Sequence, residues 1–268
     1  DPGPPPPRRR ARPRPVTPTL DSVQGLHRRL RLSAPGLEDT TTLVLWLQVG
    51  RLHVDLRLPA DLPDLAGAEG LADLAPDHLR ALARCEGFAG TTAVERGICT
   101  WTRRIDWRGP AEPDVGRLEA APEGLLETGV HADYEELWTP EPSPGPTAAR
   151  SLAHPSGQIA VLLRAGDRAL IGRAHPAAMG AAPLADRLET ALSERHRAAA
   201  LRLFDMEFAA ARLTPSGWRV ERSTLPFRAG APLAEGDPFA DPAPALIVAG
   251  PAGAERRPGW TDAPLVPA

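Results

Sequence analysis

The sequence predicts an all-β protein: two tandem antiparallel β-barrels with short helical insertions. Three observations favour this fold. Short apolar runs recur at hairpin spacing along the 268 residues. Pro (32) and Gly (24) are abundant, which is typical of a chain with many turns. A hairpin, a helical stretch and further hairpins follow one another in that order in both halves, which indicates an internal duplication.

The clearest element is a β-hairpin near the start of the first half. Its two apolar runs, Thr42–Val49 and Leu52–Leu58, are separated by Gly50-Arg51, a two-residue loop in which glycine supplies the positive φ that the turn needs. In the second run aliphatic residues alternate with polar ones, which is the period of a strand. The polar members of this alternation are His53, Asp55 and Arg57.

The rest of the first half predicts one helix and several strands. Pro76–Arg84 has proline in its first turn and is predicted to be a short helix. Alternate residues from Cys99 to Trp107, including Ile105, are expected to share one face of a strand, and Asp114–Gly116 is predicted to be a tight turn. The strands of this region are predicted at Phe88–Val94, Gly97–Trp107, Leu125–Thr128 and Tyr134–Trp138.

The second half repeats this order. Its hairpin turn is Gly166-Asp167, and Leu184–Arg197 shows the apolar period of a helix. Further strands are expected at Leu201–Leu213 and Trp218–Arg228, and Leu246–Ala249 is expected to close the second barrel. The predicted boundaries are a disordered Pro/Arg-rich arm at 1–18, a first barrel at 19–140, a Pro-rich linker at 141–147 and a second barrel at 148–268.

Composition excludes several classes of function. A net charge of −3 gives no reason to expect nucleic acid as a partner, and no apolar run is long enough to span a bilayer. The sequence has no lysine, hence no Schiff-base or P-loop lysine, and no zinc motif. We therefore predict no cofactor, no metal and no membrane. Cys85 and Cys99 are expected to be reduced, buried thiols of a cytoplasmic protein.

An ordered set of short motifs resembles a known family. The motifs are Glu86–Thr91, Trp101-x-Arg103-x-Ile105-Asp106, Asp114-x-Gly116, Leu126-Glu127-x-Gly129, Tyr134–Trp138 and Arg222–Arg228. Together they resemble the fungal HRI-type proteins and their bacterial relatives, over residues 38–235. This resemblance implies two lipocalin-like (calycin) barrels and a role in interaction or ligand binding. Some bacterial relatives look like tailoring proteins of peptide natural products, as in crocagin biosynthesis. No catalytic motif carries over.

A barrel of eight to ten strands can hold one small ligand, so its interior is the default site. Either face of the strands can point inward. If the leucines do, the polar residues form a solvated outer ladder; if the outer face is covered, the polar residues converge on the lumen. The tryptophans would then either wall a pocket or simply pack the core. The candidate ligand-binding residues are Trp46, His53, Asp55, Arg57, Trp101, Arg103 and Trp138.

A carboxylate, an imidazole and a phenol lie close together around Gly129. Glu127, His131 and Tyr134 would supply a general acid and a general base; the alternative is an acidic hairpin rim with a chance histidine. The sequence thus favours binding of a small hydrophobic, aromatic or peptidic ligand. A cofactor-independent acid/base tailoring enzyme, acting on a Trp-containing peptide or natural product, is the alternative. A protein-interaction scaffold with a protein partner remains the third.

Overall fold

The computed structural model describes residues 17–109, 113–175 and 182–265. Most of the Pro/Arg arm predicted at 1–18 therefore lies outside the described residues. The protein is all-β, as predicted, with one closed antiparallel barrel in the first half and further sheets in the second. Within the described ranges, no helix is long and apolar enough to cross a bilayer.

The first barrel consists of eight sequential strands with one short additional strand. Neighbouring strands pair in chain order, and the first pairs with the last to close the cylinder, while β2 extends only from the end of β1. The strands are β1 Gly25–Ala34, β2 Leu37–Asp39, β3 Leu43–Val49, β4 Leu52–Leu58, β5 Glu86–Glu95, β6 Ile98–Asp106, β7 Asp114–Ala121, β8 Gly124–Gly129 and β9 Glu135–Glu141.

The predicted hairpin and helix of this half are confirmed. Gly50 has a φ of +57° between β3 and β4, and a helix, α1, runs over Pro76–Ala83. The turn predicted at 114–116 is wrong, because β7 begins at Asp114 and pairs with β6. Glycine at position 116 suggested the turn, but its φ is not positive and it serves to leave space inside the barrel.

The second half contains a six-stranded sheet and a three-stranded sheet. The six-stranded order is β14-β13-β12-β11-β10-β18, and the three-stranded order is β15-β16-β17. The strands are β10 Thr147–Ala153, β11 Ile159–Ala165, β12 Arg168–Arg173, β13 Glu207–Thr214, β14 Gly217–Ser223, β15 Ala234–Glu235, β16 Ala245–Gly250, β17 Gly253–Arg257 and β18 Thr261–Asp262.

The second half differs from the closed cylinder expected for it. In the part of the chain that is described, no strand pairing joins the two edges of the six-stranded sheet. Residues 226–244, between β14 and β16, include five prolines, which cannot donate to a ladder, and contribute only the two-residue strand β15. The three-stranded sheet instead covers one face of the larger sheet, around Trp218 and Trp260.

The strand predicted at Leu201–Leu213 is partly wrong. After the helix α2 at Leu184–Ser193, the chain forms another helix, α3, at Arg197–Arg202, and β13 begins only at Glu207. Arg195 has a φ of +57° between the two helices, which ends α2 earlier than predicted. A short apolar run does not distinguish a buried helix from a strand, and this one contains both.

The two halves share one hydrophobic core. The leucine face of β3 and β4 packs on β11, β12 and β13, so the outer surface of the barrel is apolar there. Phe208 lies at the centre of this contact. A Cβ atom at Gly87 would lie 2.5 Å from its ring, and one at Gly172 would lie 2.6 Å from it. Both positions therefore need glycine to let the ring lie between the sheets.

Phe208→Ala should lower the free energy of unfolding by about 3–5 kcal/mol, because it removes a fully buried ring and leaves a cavity between two sheets. Leu213→Ala in the same strand is the control, because Leu213 is 37% exposed. Urea unfolding of both variants measures the difference. Equal losses would contradict the central place given to Phe208 in this contact.

Candidate functional site

The polar face of β4 points into the first barrel. His53 and Asp55 are buried there, and Arg57 follows on the same face. The intervening aliphatic residues of β4, from Val54 to Leu58, face outward and pack on the second half. Of the two arrangements that the sequence left open, the structure therefore has the one in which charged residues line the lumen.

Three indoles fill the middle of the lumen. The ring centroid of Trp46 lies 5.4 Å from that of Trp101 and 5.8 Å from that of Trp138, both in edge-to-face geometry. All three are buried and pack with Phe88, so they form a core rather than the wall of a wide pocket. A cavity of only about 10 Å³ remains among these rings, Asp55, Arg57, Asp114 and Glu127.

One end of the barrel is closed by the segment before β1. A short 3₁₀ helix at Asp21–Val23 places Val23, which is fully buried, against the indole cluster, and Leu20 packs beside it. Gln24 fixes this segment to the β3–β4 turn, since its Oε1 accepts a 2.6 Å hydrogen bond from the Gly50 amide. Access to the lumen is therefore from the opposite end.

The opposite end carries an open cleft of about 320 Å³. Arg57 and Asp114 line both this cleft and the small cavity, so the cavity lies directly below the cleft. The other residues that line the cleft are Leu32, Ala34, Ala132, Asp133, Tyr134 and Glu136. The wall thus combines apolar and charged groups.

Three arginines hold the carboxylates of this end in place, and each pairs with two of them. Arg29 donates to Glu136 and to Asp39 at 2.6 Å each. Arg57 donates to Asp55 at 2.8 Å and to Glu136 at 3.3 Å. The third pair of contacts joins Arg103 to Asp106 at 3.1 Å and to Asp114 at 2.9 Å. No guanidinium of this network lacks a carboxylate partner.

A bulge in β6 puts Arg103 and Asp106 on the same face. The register against β5 shifts between Ala89 and Gly90, so that one extra residue lies in β6. The prediction that Ile105 and Trp107 share a face with Cys99 and Trp101 is therefore wrong: Ile105 and Trp107 pack against the second half. Gly90 allows the bulge, because a Cβ atom there would lie 1.9 Å from the Thr102 carbonyl oxygen.

Among the residues that the structure describes, Glu127 is the acid of the lumen without a cationic partner. Its Oε1 accepts a 2.8 Å hydrogen bond from the Tyr134 hydroxyl, and its Oε2 accepts a 3.1 Å bond from the Trp138 indole N–H. Burial, together with the charge of Glu136, raises the pKa of Glu127 to about 8. Two glycines make room: a Cβ atom at Gly116 would lie 2.7 Å from the Glu127 carboxyl, and one at Gly129 2.6 Å from the Tyr134 ring.

Burial also shifts the pKa values of two neighbouring groups, Asp55 and His53. Burial raises the pKa of Asp55 to about 6 in spite of its contact with Arg57. Burial and the charge of Arg103 lower the pKa of His53 to about 3, so this imidazole is neutral. Its Nδ1 lies 3.0 Å from the Thr92 hydroxyl, which itself donates to Gln48. His53 is therefore part of a separate polar chain.

The structure brings together most of the predicted site residues but not all. Asp55, Arg57, Glu127 and Tyr134 meet at the open end, where Arg103 is joined to them through Asp114, and the three indoles lie beneath them. His131 is exposed in the β8–β9 loop and makes no hydrogen bond with either member of the Glu127–Tyr134 pair. Within the described residues, no group of three or more His, Cys, Asp or Glu side chains could hold a metal ion.

Sequence reasoning missed Arg29, Asp114 and Glu136 as members of this network. For Glu136 the signal was present, since Tyr134, Glu136 and Trp138 alternate along one strand and so face the same side. Arg29 lies among other arginines in a strand that its sequence marks as solvated, but it shares the inward face of β1 with His27, which stacks on Trp46. Asp114 was missed because the sequence predicted a turn at this position, where the structure has the first residue of β7.

Comparisons with known proteins give one distant likeness. No protein-family model matches the chain, and no curated protein matches it in sequence. The structure is similar to the crystal structure of the uncharacterized protein YLR301w from Saccharomyces cerevisiae, at 12% sequence identity and a TM-score of 0.48, over 74% of this chain and 84% of that one.

Glu127→Gln should make the stability of the protein less dependent on pH. The carboxyl ionises near its ordinary pKa of 4.5 in the unfolded chain, but at about 8 in the folded one. The folded state binds more protons between these values, so the wild type loses stability as the pH rises through this window. The loss is on the order of a few kcal/mol, since one pKa unit corresponds to about 1.4 kcal/mol.

The melting temperatures of wild type and variant between pH 4.5 and 9 measure this effect. We expect the variant to become progressively more stable than wild type up to about pH 8, with a constant difference above it. Glu123→Gln, at an exposed turn of the closed end, should follow wild type. Parallel curves for Glu127→Gln and wild type would contradict a raised pKa of Glu127 in the folded protein.

Proposed function

We propose that the first barrel binds a small hydrophobic, aromatic or peptidic ligand in the cleft at its open end. The observation that carries this proposal is the cleft of about 320 Å³ above a filled lumen. This volume lies at the lower end of ordinary small-molecule sites, which are roughly 300–1,000 Å³. The interior that the sequence suggested as the site leaves a cavity of only about 10 Å³, so the body of the ligand lies in the mouth.

The lining of the cleft supports a ligand with both apolar and polar parts. Leu32, Ala34 and Ala132 offer apolar contact, and the half-buried Tyr134 ring offers a surface for an aromatic group. Arg57 and Glu136 are held by ion pairs, so they present charge in a fixed geometry. Preorganised groups of this kind orient a ligand at little entropic cost.

A specific contact favours acid/base catalysis as a second candidate. Tyr134 and Glu127 lie 2.8 Å apart at the boundary of cleft and lumen, and burial raises the pKa of both groups. A carboxyl that is protonated near neutral pH is suited to donate a proton. Under this proposal Tyr134→Phe would keep the ring and the ligand affinity but lose turnover, as followed by mass spectrometry of a bound peptide.

Membership of the HRI-type family and a cytoplasmic location stay predictions. The location is supported by Cys85 and Cys99, which are free and buried, since unpaired thiols suit a reducing compartment. An interaction scaffold is the remaining alternative.

Ala132→Trp should abolish ligand binding, because it fills the cleft without touching the lumen. Thermal shift against fatty acids, indoles and Trp-containing peptides measures binding, since a ligand at 100 times its Kd stabilises the folded state by about 2.7 kcal/mol. Ala120→Trp, on an exposed part of β7, is the matched control and should keep the response. A panel with no stabilising compound, or an equal response in both variants, would refute binding in the cleft.

A further inference from the structure

We propose that the ligand of the first barrel carries a primary ammonium group, which enters the small cavity among the indoles and lies against Glu127 and Asp114. This inference rests on the proposed binding in the cleft and names the chemistry of the ligand. Three observations support this inference: the size of the cavity, the aromatic side chains that line the cavity, and the charged groups around it.

The cavity has the size of an ammonium head group. Its volume of about 10 Å³ is close to the minimum of about 10–15 Å³ needed for one water molecule. An alkylammonium head is a similarly compact group, whereas a guanidinium, a carboxylate or a ring is larger. Because Arg57 and Asp114 border both spaces, a chain of a few carbons joins a head in the cavity to a body in the cleft.

The cavity walls suit a cation. Four of the eight residues that line it are aromatic, namely Trp46, Phe88, Trp101 and Trp138. Cations are attracted to such rings, and tryptophan is the best of them. Three others are acids: Asp55, Asp114 and Glu127. Aromatic rings combined with carboxylates are the surroundings in which proteins hold ammonium groups.

The charges of the open end also favour a cation over an anion. Three guanidiniums face six carboxyl groups, which are Asp39, Asp55, Asp106, Asp114, Glu127 and Glu136. Each guanidinium already contacts two carboxylates, so an anionic ligand would have to displace one of them. Within the described parts of the chain, Glu127 bonds only the neutral Tyr134 and Trp138. Arg57, the cation at the cavity, is neutralised by Asp55 and Glu136.

Binding of the ammonium group releases a proton. Glu127 holds a proton at neutral pH in the free protein, because burial raises its pKa to about 8. When the ammonium enters, the carboxyl loses this proton to solvent and the resulting carboxylate pairs with the ligand. The other titratable or charged groups around Glu127 are Asp114 from β7, Tyr134 and Glu136 from the β9 segment, Asp55 and Arg57 from β4, and Cys99 from β6.

The test compares three indoles of similar size by isothermal titration calorimetry of the full chain in 150 mM NaCl. Tryptamine carries an ammonium group, tryptophol a neutral hydroxyl and indole-3-acetate a carboxylate. Alkylammonium groups stay protonated below a pH of about 10, so only the protein titrates. Two buffers with different ionisation enthalpies measure the protons released.

We expect tryptamine to bind at least tenfold more tightly than tryptophol at pH 8, with release of a proton at pH 7. Its affinity should rise up to tenfold per pH unit between pH 6 and 8 and level off above. Glu127→Gln should remove both the preference and the proton release, and Asp114→Asn should weaken the preference. Glu123→Gln, at the closed end, should keep both.

Other outcomes overturn this inference. Equal binding of tryptamine and tryptophol, tightest binding of indole-3-acetate, or a preference that survives in a folded Glu127→Gln protein each refute it and leave binding in the cleft intact. If none of the three indoles binds, the ammonium proposal fails as well. The wider panel with Ala132→Trp then decides separately whether the cleft binds any ligand.

Discussion

The contact between the leucine face of β3 and β4 and the second half determines what the first barrel contains. Strand residues alternate between two faces, so an outer face that must be apolar sends every polar residue of these strands inward. His53, Asp55 and Arg57 are inside for this reason. In a barrel that stood alone, these polar side chains would face outward into water. Here the apolar contact with the second half occupies the outer face and keeps them in the lumen.

Charged groups in such a lumen are tolerated only when they are paired. Arg29, Arg57 and Arg103 join strands β1, β4 and β6 to carboxylates on other strands or at the barrel rim. Arginine suits this task, because its planar guanidinium reaches two partners at once. Glu127 remains outside this pairing, and its bonds with the described residues are to neutral donors, Tyr134 and Trp138. The open end therefore has more carboxyl groups than guanidinium groups, and this excess of acids determines its chemical character.

The sequence was sufficient for local features and insufficient for those that depend on distant partners. Gly50-Arg51 and Gly166-Asp167 mark hairpin turns because a positive φ is a local requirement, and both glycines have a φ of +57°. The face of Ile105 could not be predicted, since a bulge opposite Ala89 and Gly90 reverses the alternation in β6. Contacts among Arg29, Glu136 and Arg57 join positions more than 75 apart, and local periodicity carries no information about them.

The 3₁₀ helix at Asp21–Val23 also makes the two ends of the barrel different, because it closes one of them. Thr17 and the β5–β6 turn at Gly97 are neighbours at the end that this helix closes. The cleft lies at the far end of the cylinder. The described chain therefore enters the barrel at its base, so a molecule that approaches the cleft does not meet the segment from Thr17 to Val23.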